Sequence, residues 1–211
     1  MTSHDDPIEE AAAAALRGDL IVIPTDTVYG IGTRPDDREA TARLFEAKRR
    51  PERLELPILV ATVADARDVA SFDERADRLA AACWPGPLTL VLPRTGRSAA
   101  WELGGDPATV GVRVPRDPLA LAVLARAGPL AVTSANRSGR PPARTCDELR
   151  AAFGDAVAVT LCRDEPLGGP ASTVLDLAHG RARILRAGRI DAAALGALLP
   201  EEPLLDSPTS R

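Results

Sequence analysis

The chain has 211 residues, of which 45% are apolar, 27% are charged and only 3% are aromatic. This composition is typical of a globular protein whose single core rests on Leu, Val, Ala and Ile rather than on aromatic rings. A formal net charge of −4 disfavours a protein that coats DNA, although it allows a local basic face.

Helix and strand patterns alternate from the first residues onward. The predicted helices are Ile8–Arg17, a helix that starts after Asp36 or Asp37 and stops at Pro51, Asp73–Cys83, Pro118–Arg126, Thr145–Phe153 and Asp191–Leu199. The predicted strands are Leu20–Ile23, Pro57–Ala61, Leu88–Leu92, Thr109–Val114, Leu130–Thr133, Val157–Leu161, Ser172–Asp176 and Arg183–Leu185. Several late strands follow one another without helices between them, which predicts an α/β single domain with a mixed sheet. We expect the domain to span residues 7–199, with flexible tails at 1–6 and 200–211.

The segment Ile21–Gly32 joins a buried strand to a polar loop. Pro24 ends the strand because it has no N–H to donate. The oxygen-bearing residues Thr25, Asp26, Thr27 and Tyr29 follow it, and Gly30 and Gly32 close the segment. Loops at the carboxyl ends of strands bind ligands in open α/β sheets. The segment is therefore either a small-ligand pocket or an ordinary polar turn.

The residues of other common catalytic sites are missing from the sequence. Cys83, Cys146 and Cys162 are odd in number and form no C-x-x-C pair, so we expect them to be reduced. His4 and His179 have no triad spacing, and no metal-binding motif occurs, so we expect no protein-built metal site. The acidic N-terminal residues do not resemble a secretion signal, and no apolar run could span a membrane. We therefore expect a cytoplasmic protein with no membrane partner.

Cations and small polar groups stand at the ends of the predicted elements. The cations are Lys48, Arg50, Arg113 and Arg186. Singly each could be a helix-end partner or a solvated side chain, whereas together they would form an anion site. Polar loops at Thr133–Gly139 and Gly168–Val174 could bind a phosphate or base, or could be plain turns. Cations and hydroxyls without a histidine base suit phosphoryl or nucleotidyl transfer.

Seven motifs occur in an order that resembles the YrdC-type threonylcarbamoyl-AMP synthase family. They are P-T-D-T-V-Y-G at Pro24–Gly30, K-x-R-P at Lys48–Pro51, W-P-G-P-L-T-L at Trp84–Leu90, V-x-V-R-V-P at Val110–Pro115, T-S-A-N-x-S-G at Thr133–Gly139, S-T-V at Ser172–Val174 and I-L-R-x-G at Ile184–Gly188. The resemblance implies a twisted, open α/β sheet with flanking helices and a concave, positively lined face. It also implies that L-threonine, bicarbonate and ATP, which brings Mg²⁺ with it, give threonylcarbamoyl-AMP and pyrophosphate.

The resemblance also assigns expected roles to individual residues. Those implied to bind threonine are Thr25, Thr27, Arg113, Thr133 and Ser172. Those implied to bind the nucleotide are Lys48, Arg50, Thr109, Ser134, Ala135, Asn136, Ala143 and Arg186, with Lys48 and Arg50 also implied to act in catalysis. Partner proteins are implied to pass the threonylcarbamoyl group to an adenosine of certain tRNAs, and contact with tRNA or double-stranded RNA is possible.

The chain departs from the family pattern at three places. Glu52–Leu56 makes the loop after K-x-R-P longer and less polar, Ala61 replaces a frequent histidine, and Pro142 replaces a frequent serine. The chain resembles the short form that lacks a second domain. Two alternatives to a synthase are a paralogue that binds RNA, favoured by the altered loop, and a protein that uses another carbamoyl acceptor.

Overall fold

A computed structural model describes residues 6–201 and 203–205 of the chain. The helices are α1 (Pro7–Leu16), α2 (Arg38–Lys48), α3 (Val63–Val69), α4 (Glu74–Cys83), α5 (Pro118–Ala127), α6 (Cys146–Phe153) and α7 (Ala192–Leu198). The strands are β1 (Ile21–Ile23), β2 (Gly30–Thr33), β3 (Ile58–Leu59), β4 (Leu88–Pro93), β5 (Thr109–Arg113), β6 (Leu130–Ser134), β7 (Val159–Thr160), β8 (Thr173–Asp176) and β9 (Arg183–Arg186). No described helix has both the length and the apolar character that crossing a bilayer requires.

The described strands form one sheet in the order β7-β1-β2-β6-β3-β5-β4-β8-β9. Three pairs are parallel, namely β1 with β7, β3 with β5 and β4 with β8, and the remaining neighbours are antiparallel. The predicted α/β fold with an open mixed sheet is therefore confirmed. The order also sets β5, β4, β8 and β9 side by side, so residues from distant parts of the chain meet on this half of the sheet.

Strand β2 lies where the sequence predicts only a loop. Glycine has low strand propensity, so the sequence did not predict a strand here. Glycine also lets another backbone approach closely, and this allows the strand to form. A Cβ at Gly30 would lie 2.5 Å from Cγ1 of Val132, and one at Gly32 would lie 2.5 Å from the carbonyl oxygen of Ala131. Both neighbours belong to β6, so only glycine lets the two strands pair at this separation.

Side-chain caps start the helices near the predicted positions. Asp37 accepts hydrogen bonds from the first turn of α2, and Asp73 does the same for α4. The predicted capping box at Thr145 forms only in part. Thr145 accepts from the N–H of Glu148, but the Glu148 carboxylate accepts instead from the N–H of Arg144.

The core lies on both faces of the sheet because successive strand residues point to opposite sides. Ile21 and Ile23 pack with α1 and α5 in one cluster, whereas Val22 packs in the larger cluster that contains α4. β1 is buried on both faces, as its β-branched run predicts.

The prediction about the cysteines differs from the structure, and the predicted tails lie partly outside the described residues. Cys146 and Cys162 form a disulfide with Cα atoms 5.7 Å apart, so the prediction of reduced cysteines is wrong for this pair. The two are 16 positions apart in the sequence, with Cys146 at the start of α6 and Cys162 just after β7. Of the predicted tails, residues 1–5, 202 and 206–211 lie outside the described residues, and Leu205 bridges to Arg183. The boundaries 7–199 stay a prediction.

Candidate active site

A cavity of about 360 Å³ is lined by the loop after β1, the loop after α2 and residues of β3, β4, β5, β6, β8 and β9. The predicted site residues that line it are Thr25, Thr27, Arg50, Arg113, Thr133, Ser134, Ser172 and Arg186. The structure thus gathers hydroxyl and guanidinium groups from the whole length of the chain into one place. Their individual roles stay predictions.

Arg113 stands at the end of β5 and is 5% exposed. Its Nε donates to the carbonyl oxygen of Gly86 at 2.8 Å, Nη1 to Oγ1 of Thr27 at 3.2 Å and Nη2 to Oδ1 of Asp26 at 2.7 Å. Burial lowers the pKa of Arg113, and the Asp26 carboxylate opposes that shift. The guanidinium is therefore held in one orientation, as a forked carboxylate clamp requires.

Asp26 is a member of this site that the sequence analysis left without a role. Its carboxylate also accepts from the N–H of Arg116 at 2.8 Å, and its carbonyl oxygen accepts from the Arg189 side chain. The available signal was the position of Asp26 between two threonines in P-T-D-T. Asp26 does not line the cavity, so it acts on the site through Arg113.

The hydroxyls of Thr25 and Thr27 form a local hydrogen-bonded turn. Oγ1 of Thr25 donates to the carbonyl oxygen of Val28 at 2.5 Å and accepts from the N–H of Thr27 at 3.2 Å. The two hydroxyl oxygens lie 3.0 Å apart. Because the Thr25 hydrogen is used on Val28, Thr27 is the donor of this pair and its own oxygen accepts from Arg113.

Arg186 and Ser172 also line the cavity. Nη2 of Arg186 lies 2.9 Å from both the carbonyl oxygen and Oγ of Ser172, and Oγ of Ser172 lies 3.0 Å from Oγ1 of Thr89. Gly188 allows the chain to approach, since a Cβ there would lie 2.4 Å from the carbonyl oxygen of Ala171. Thr89 was not predicted as a site residue, and the available signal was its place in the W-P-G-P-L-T-L motif.

Arg50 holds the loop after α2 beside the cavity. Its Nε donates to the carbonyl oxygen of Leu54 at 3.1 Å and its Nη2 to that of Glu55 at 2.8 Å. Burial lowers the pKa of Arg50, and the charge of Arg186 lowers it further. Arg50, Arg113 and Arg186 therefore concentrate positive charge in a partly desolvated cavity, which is the electrostatic setting for an anionic ligand.

Lys48 is not among the residues that line the cavity, but it contacts Ser134, which is. It is 1% exposed, and Nζ donates to the carbonyl oxygens of Ser134 and Asn136, each at 2.5 Å. Burial lowers the pKa of Lys48 to about 7, and the charge of Arg50 acts in the same direction. The N–H of Ser138 donates to the carbonyl oxygen of Lys48, so the lysine and the loop after β6 hold each other in place.

Of the predicted residues at the end of β6 and in the loop that follows, only some reach the cavity wall. Ser134 lines the cavity, whereas Ala135, Asn136 and Ala143 do not. The N–H of Ala143 donates to the carbonyl oxygen of Ala135 at 3.0 Å, which closes the loop. Thr109 also lies outside the lining, at the opposite end of β5 from Arg113.

Glu55 is the only carboxylate among the described residues that line the cavity. Oε1 of Glu55 accepts from the N–H of Gly111 at 3.2 Å, and burial raises the pKa of Glu55 to about 7. Sequence reasoning treated it only as part of the departure at Glu52–Leu56. Across residues 6–201 and 203–205, no group of three or more His, Cys, Asp or Glu side chains is placed to hold a metal ion.

Comparisons with known proteins place this chain in a family. The Sua5/YciO/YrdC family model, described as "Telomere recombination", matches residues 13–188. A putative threonylcarbamoyl-AMP synthase of Mycobacterium leprae is 39% identical over 93% of this chain and 89% of its own length. The threonylcarbamoyl-AMP synthase of Chromohalobacter salexigens is 41% identical over 85% of this chain and 97% of its own length.

A solved structure agrees with these sequence relatives. The structure of Pyrococcus abyssi Sua5 complexed with L-threonine has a TM-score of 0.84 and 32% identity over 93% of this chain. The chain spans 58% of the P. abyssi protein. The resemblance seen in the motifs is confirmed, and the chain belongs to the Sua5/YciO/YrdC family.

Proposed function

We propose that this protein is a threonylcarbamoyl-AMP synthase, which makes L-threonylcarbamoyl-AMP and pyrophosphate from L-threonine, bicarbonate and ATP. The main structural support is the single cavity in which Arg50, Arg113 and Arg186 meet the hydroxyls of Thr27 and Ser172. Curated relatives at 39% and 41% identity bear this activity in their names. The described residues that line the cavity include no histidine or cysteine, which disfavours a histidine base or a thiol nucleophile at this site.

In this proposal the amino acid binds at the Arg113 end of the cavity. The guanidinium of Arg113, already oriented by Asp26 and Gly86, takes the threonine carboxylate. Hydroxyls of the cavity wall then surround the rest of the small, polar substrate. They are those of Thr25, Thr27, Thr133 and Ser172.

The nucleotide is proposed to occupy the remainder of the cavity and the loop after β6. Arg50 and Arg186 face its phosphates, and Lys48 keeps the loop that begins at Ser134 in position. The other loop residues assigned to the nucleotide are Ala135, Asn136 and Ala143. Thr109 would meet only a part of the nucleotide that extends along β5, away from Arg113.

The chemistry proposed for this site needs no covalent enzyme intermediate. The amine of threonine takes up the carbon of bicarbonate, and an oxygen of the resulting carbamate attacks the α-phosphorus of ATP. The bond to the β-phosphate breaks, and pyrophosphate leaves with the electron pair. The guanidinium groups stabilise the charge that spreads over the phosphates, together with the magnesium ion that accompanies ATP as part of the substrate.

A direct assay tests the proposed function. Purified protein is incubated with magnesium-ATP, bicarbonate and L-threonine, pyrophosphate is measured, and the adenylate is identified by mass spectrometry. We expect pyrophosphate release that requires all three substrates, with L-serine or glycine giving less than one tenth of the rate. Absence of threonine-dependent release between pH 6 and 9 would contradict the proposal.

The product is proposed to pass to partner proteins that modify tRNA, and one surface favours a direct role in RNA binding. Arg137, Arg140, Arg144 and Arg150 are all exposed on the loop after β6 and on α6. Exposed guanidiniums bind phosphate backbones with strong salt dependence, although Arg150 is here paired with Asp147. RNA binding that weakens steeply with salt, without any adenylate formation, would favour an RNA-binding paralogue over a synthase.

A further inference from the structure

The described cavity wall holds three guanidinium groups and one carboxylate, that of Glu55. An α-amino acid at neutral pH carries a carboxylate and an ammonium group, and the ammonium group needs an anionic partner. We propose that Glu55 binds the α-ammonium group of the amino-acid substrate and accepts a proton from it. This inference rests on the proposed synthase function and adds a catalytic residue to it.

The Glu55 carboxylate is anchored to the backbone of β5, the strand that carries Arg113. Oε1 of Glu55 lies 3.2 Å from the backbone nitrogen of Gly111, which is two residues before Arg113 on β5. Residues two apart on a strand share a face and lie about 6.7 Å apart. Glu55 and Arg113 both line the cavity, so the same cavity offers a carboxylate and a guanidinium to a zwitterionic amino acid.

The loop that bears Glu55 is held firmly against the cavity. Arg50 donates to the backbone carbonyls of both Leu54 and Glu55. From the other side Gly105 lies so close that a Cβ on it would be 2.8 Å from the Cβ of Glu55. Substrate binding therefore does not have to order this carboxylate, which lowers the entropic cost of binding.

The charges around Glu55 suit a base that works near neutral pH. Burial raises its pKa to about 7, while the N–H of Gly111 and the charge of Arg94 act in the opposite direction. Asp106, which precedes β5, and Asp176, which ends β8, raise the pKa of Glu55 a little further. A general base is most effective when its pKa lies near the working pH. The ammonium group of a bound amino acid favours the carboxylate form of Glu55, which is the form that can accept a proton.

The proton balance of the step is simple. One N–H proton of the ammonium group moves to the Glu55 carboxylate, and the freed nitrogen lone pair forms the bond to the carbon of bicarbonate. That carbon loses its hydroxyl group, which leaves as water together with the second proton from nitrogen. The carbamate remains, and Glu55 returns its proton to solvent before the next turnover.

The test compares L-threonine with its analogue 2,3-dihydroxybutanoate, in which a hydroxyl replaces the α-ammonium group. Calorimetry measures the binding of both to the wild type, to Glu55→Gln and to Glu52→Gln. Glu52 is exposed on the same loop and is the matched control. The glutamine amide oxygen can still accept from Gly111, so Glu55→Gln keeps the structural hydrogen bond.

We expect Glu55→Gln to bind threonine at least tenfold more weakly and the analogue within twofold of the wild type, with Glu52→Gln unchanged for both. The wild-type kcat/KM for threonine should fall about tenfold per pH unit below 7, and Glu55→Gln should lose this inflection. Equal losses for threonine and the analogue, or no loss for either, would overturn the proposal.

Two further observations keep the outcome unambiguous. If Glu55→Gln does not fold, the pH dependence of threonine binding by the wild type decides, since affinity that does not change between pH 5.5 and 8 would overturn the role of Glu55. If the wild type releases no pyrophosphate with threonine, the proposed function fails. A loss of threonine binding that is confined to Glu55→Gln bears on the role of Glu55 and leaves the proposed function untouched.

Discussion

The carboxylate of Asp26 lies 2.7 Å from Nη2 of Arg113, and the two side chains are only 14% and 6% exposed. This buried pair links the loop after β1 to the end of β5, at the wall of the cavity. Arg113 is thus oriented before any ligand arrives. The Asp26 carboxylate offsets the free-energy cost of removing the Arg113 charge from water. The pair explains how an arginine so deeply buried remains a charged binding group.

Removal of the Asp26 charge should destabilise the fold. Asp26→Asn leaves the Arg113 guanidinium buried without its counter-charge, so we expect the free energy of unfolding to fall by about 3 kcal/mol. Urea unfolding measures this change. Asp19→Asn, in the exposed pair with Arg17, is the control and should change it by less than about 0.5 kcal/mol. Equal effects of the two variants would refute the role given to the buried pair.

Arg113→Lys should weaken threonine binding while leaving a positive charge in place. Lysine cannot reproduce the forked contact with a carboxylate, and a forked charged pair contributes about 1.5–3 kcal/mol. Threonine affinity measured by calorimetry should therefore fall roughly ten- to a hundredfold, with a smaller change for ATP. Unchanged threonine affinity would show that Arg113 does not bind this substrate.

Lys48→Met should affect the nucleotide more than the amino acid. The change leaves the carbonyl oxygens of Ser134 and Asn136 without their lysine donor, so the loop after β6 loses its anchor. We expect KM for ATP to rise roughly tenfold and KM for threonine to change by less than about threefold. Glu46→Gln, on the exposed side of the same helix turn, is the control. Equal increases in the two KM values would argue against this division of roles.

The Thr33 hydroxyl offers a stability test away from the cavity. Thr33 is fully buried, and its Oγ1 is the one buried side-chain polar atom among the described residues that lacks a hydrogen-bond partner. Thr33→Val keeps the shape of the side chain and removes the unpaired group. We expect the free energy of unfolding to rise by about 1 kcal/mol, measured by urea unfolding. A loss of stability would show that the hydroxyl has a partner in solution.

His179 predicts a pH dependence of stability. Its ring nitrogens lie 2.9 Å from Oδ2 of Asp176 and 3.1 Å from Oδ2 of Asp106, and the Asp176 hydrogen bond is the main reason that the pKa of His179 is raised. The folded state therefore binds the proton more tightly than the unfolded chain does. This stabilisation is complete below the ordinary histidine pKa and is lost as the pH rises through the raised value.

The variant His179→Gln checks that sign. Its Tm should lie below that of the wild type at pH 5.5, and the difference should shrink by pH 9. A difference in Tm that is independent of pH would mean that the charge of His179 contributes nothing.

Local sequence signals predicted the fold well wherever an element is buried in an ordinary way. The β-branched run of β1 and the alternation in β5 predicted both strands to within one residue at each end. Helix α3 was missed although Thr62 and Asp65 form a full capping box at its start. Strand β2 was missed because its two glycines have low strand propensity. They are needed for close contact with β6, and that contact involves a distant segment of the chain.

The sequence by itself determined which chemical groups are available and the ends of which elements they occupy. The motif order was enough to indicate the family, and eight of the site residues it implied do line the cavity. Only the tertiary structure decided that Lys48 donates to the backbone of Ser134, that Asp26 pairs with Arg113, and that Glu55 lines the cavity. The physical reason is that side-chain function depends on distance and desolvation. Both are set by the order of strands in the sheet, which joins residues far apart in the chain.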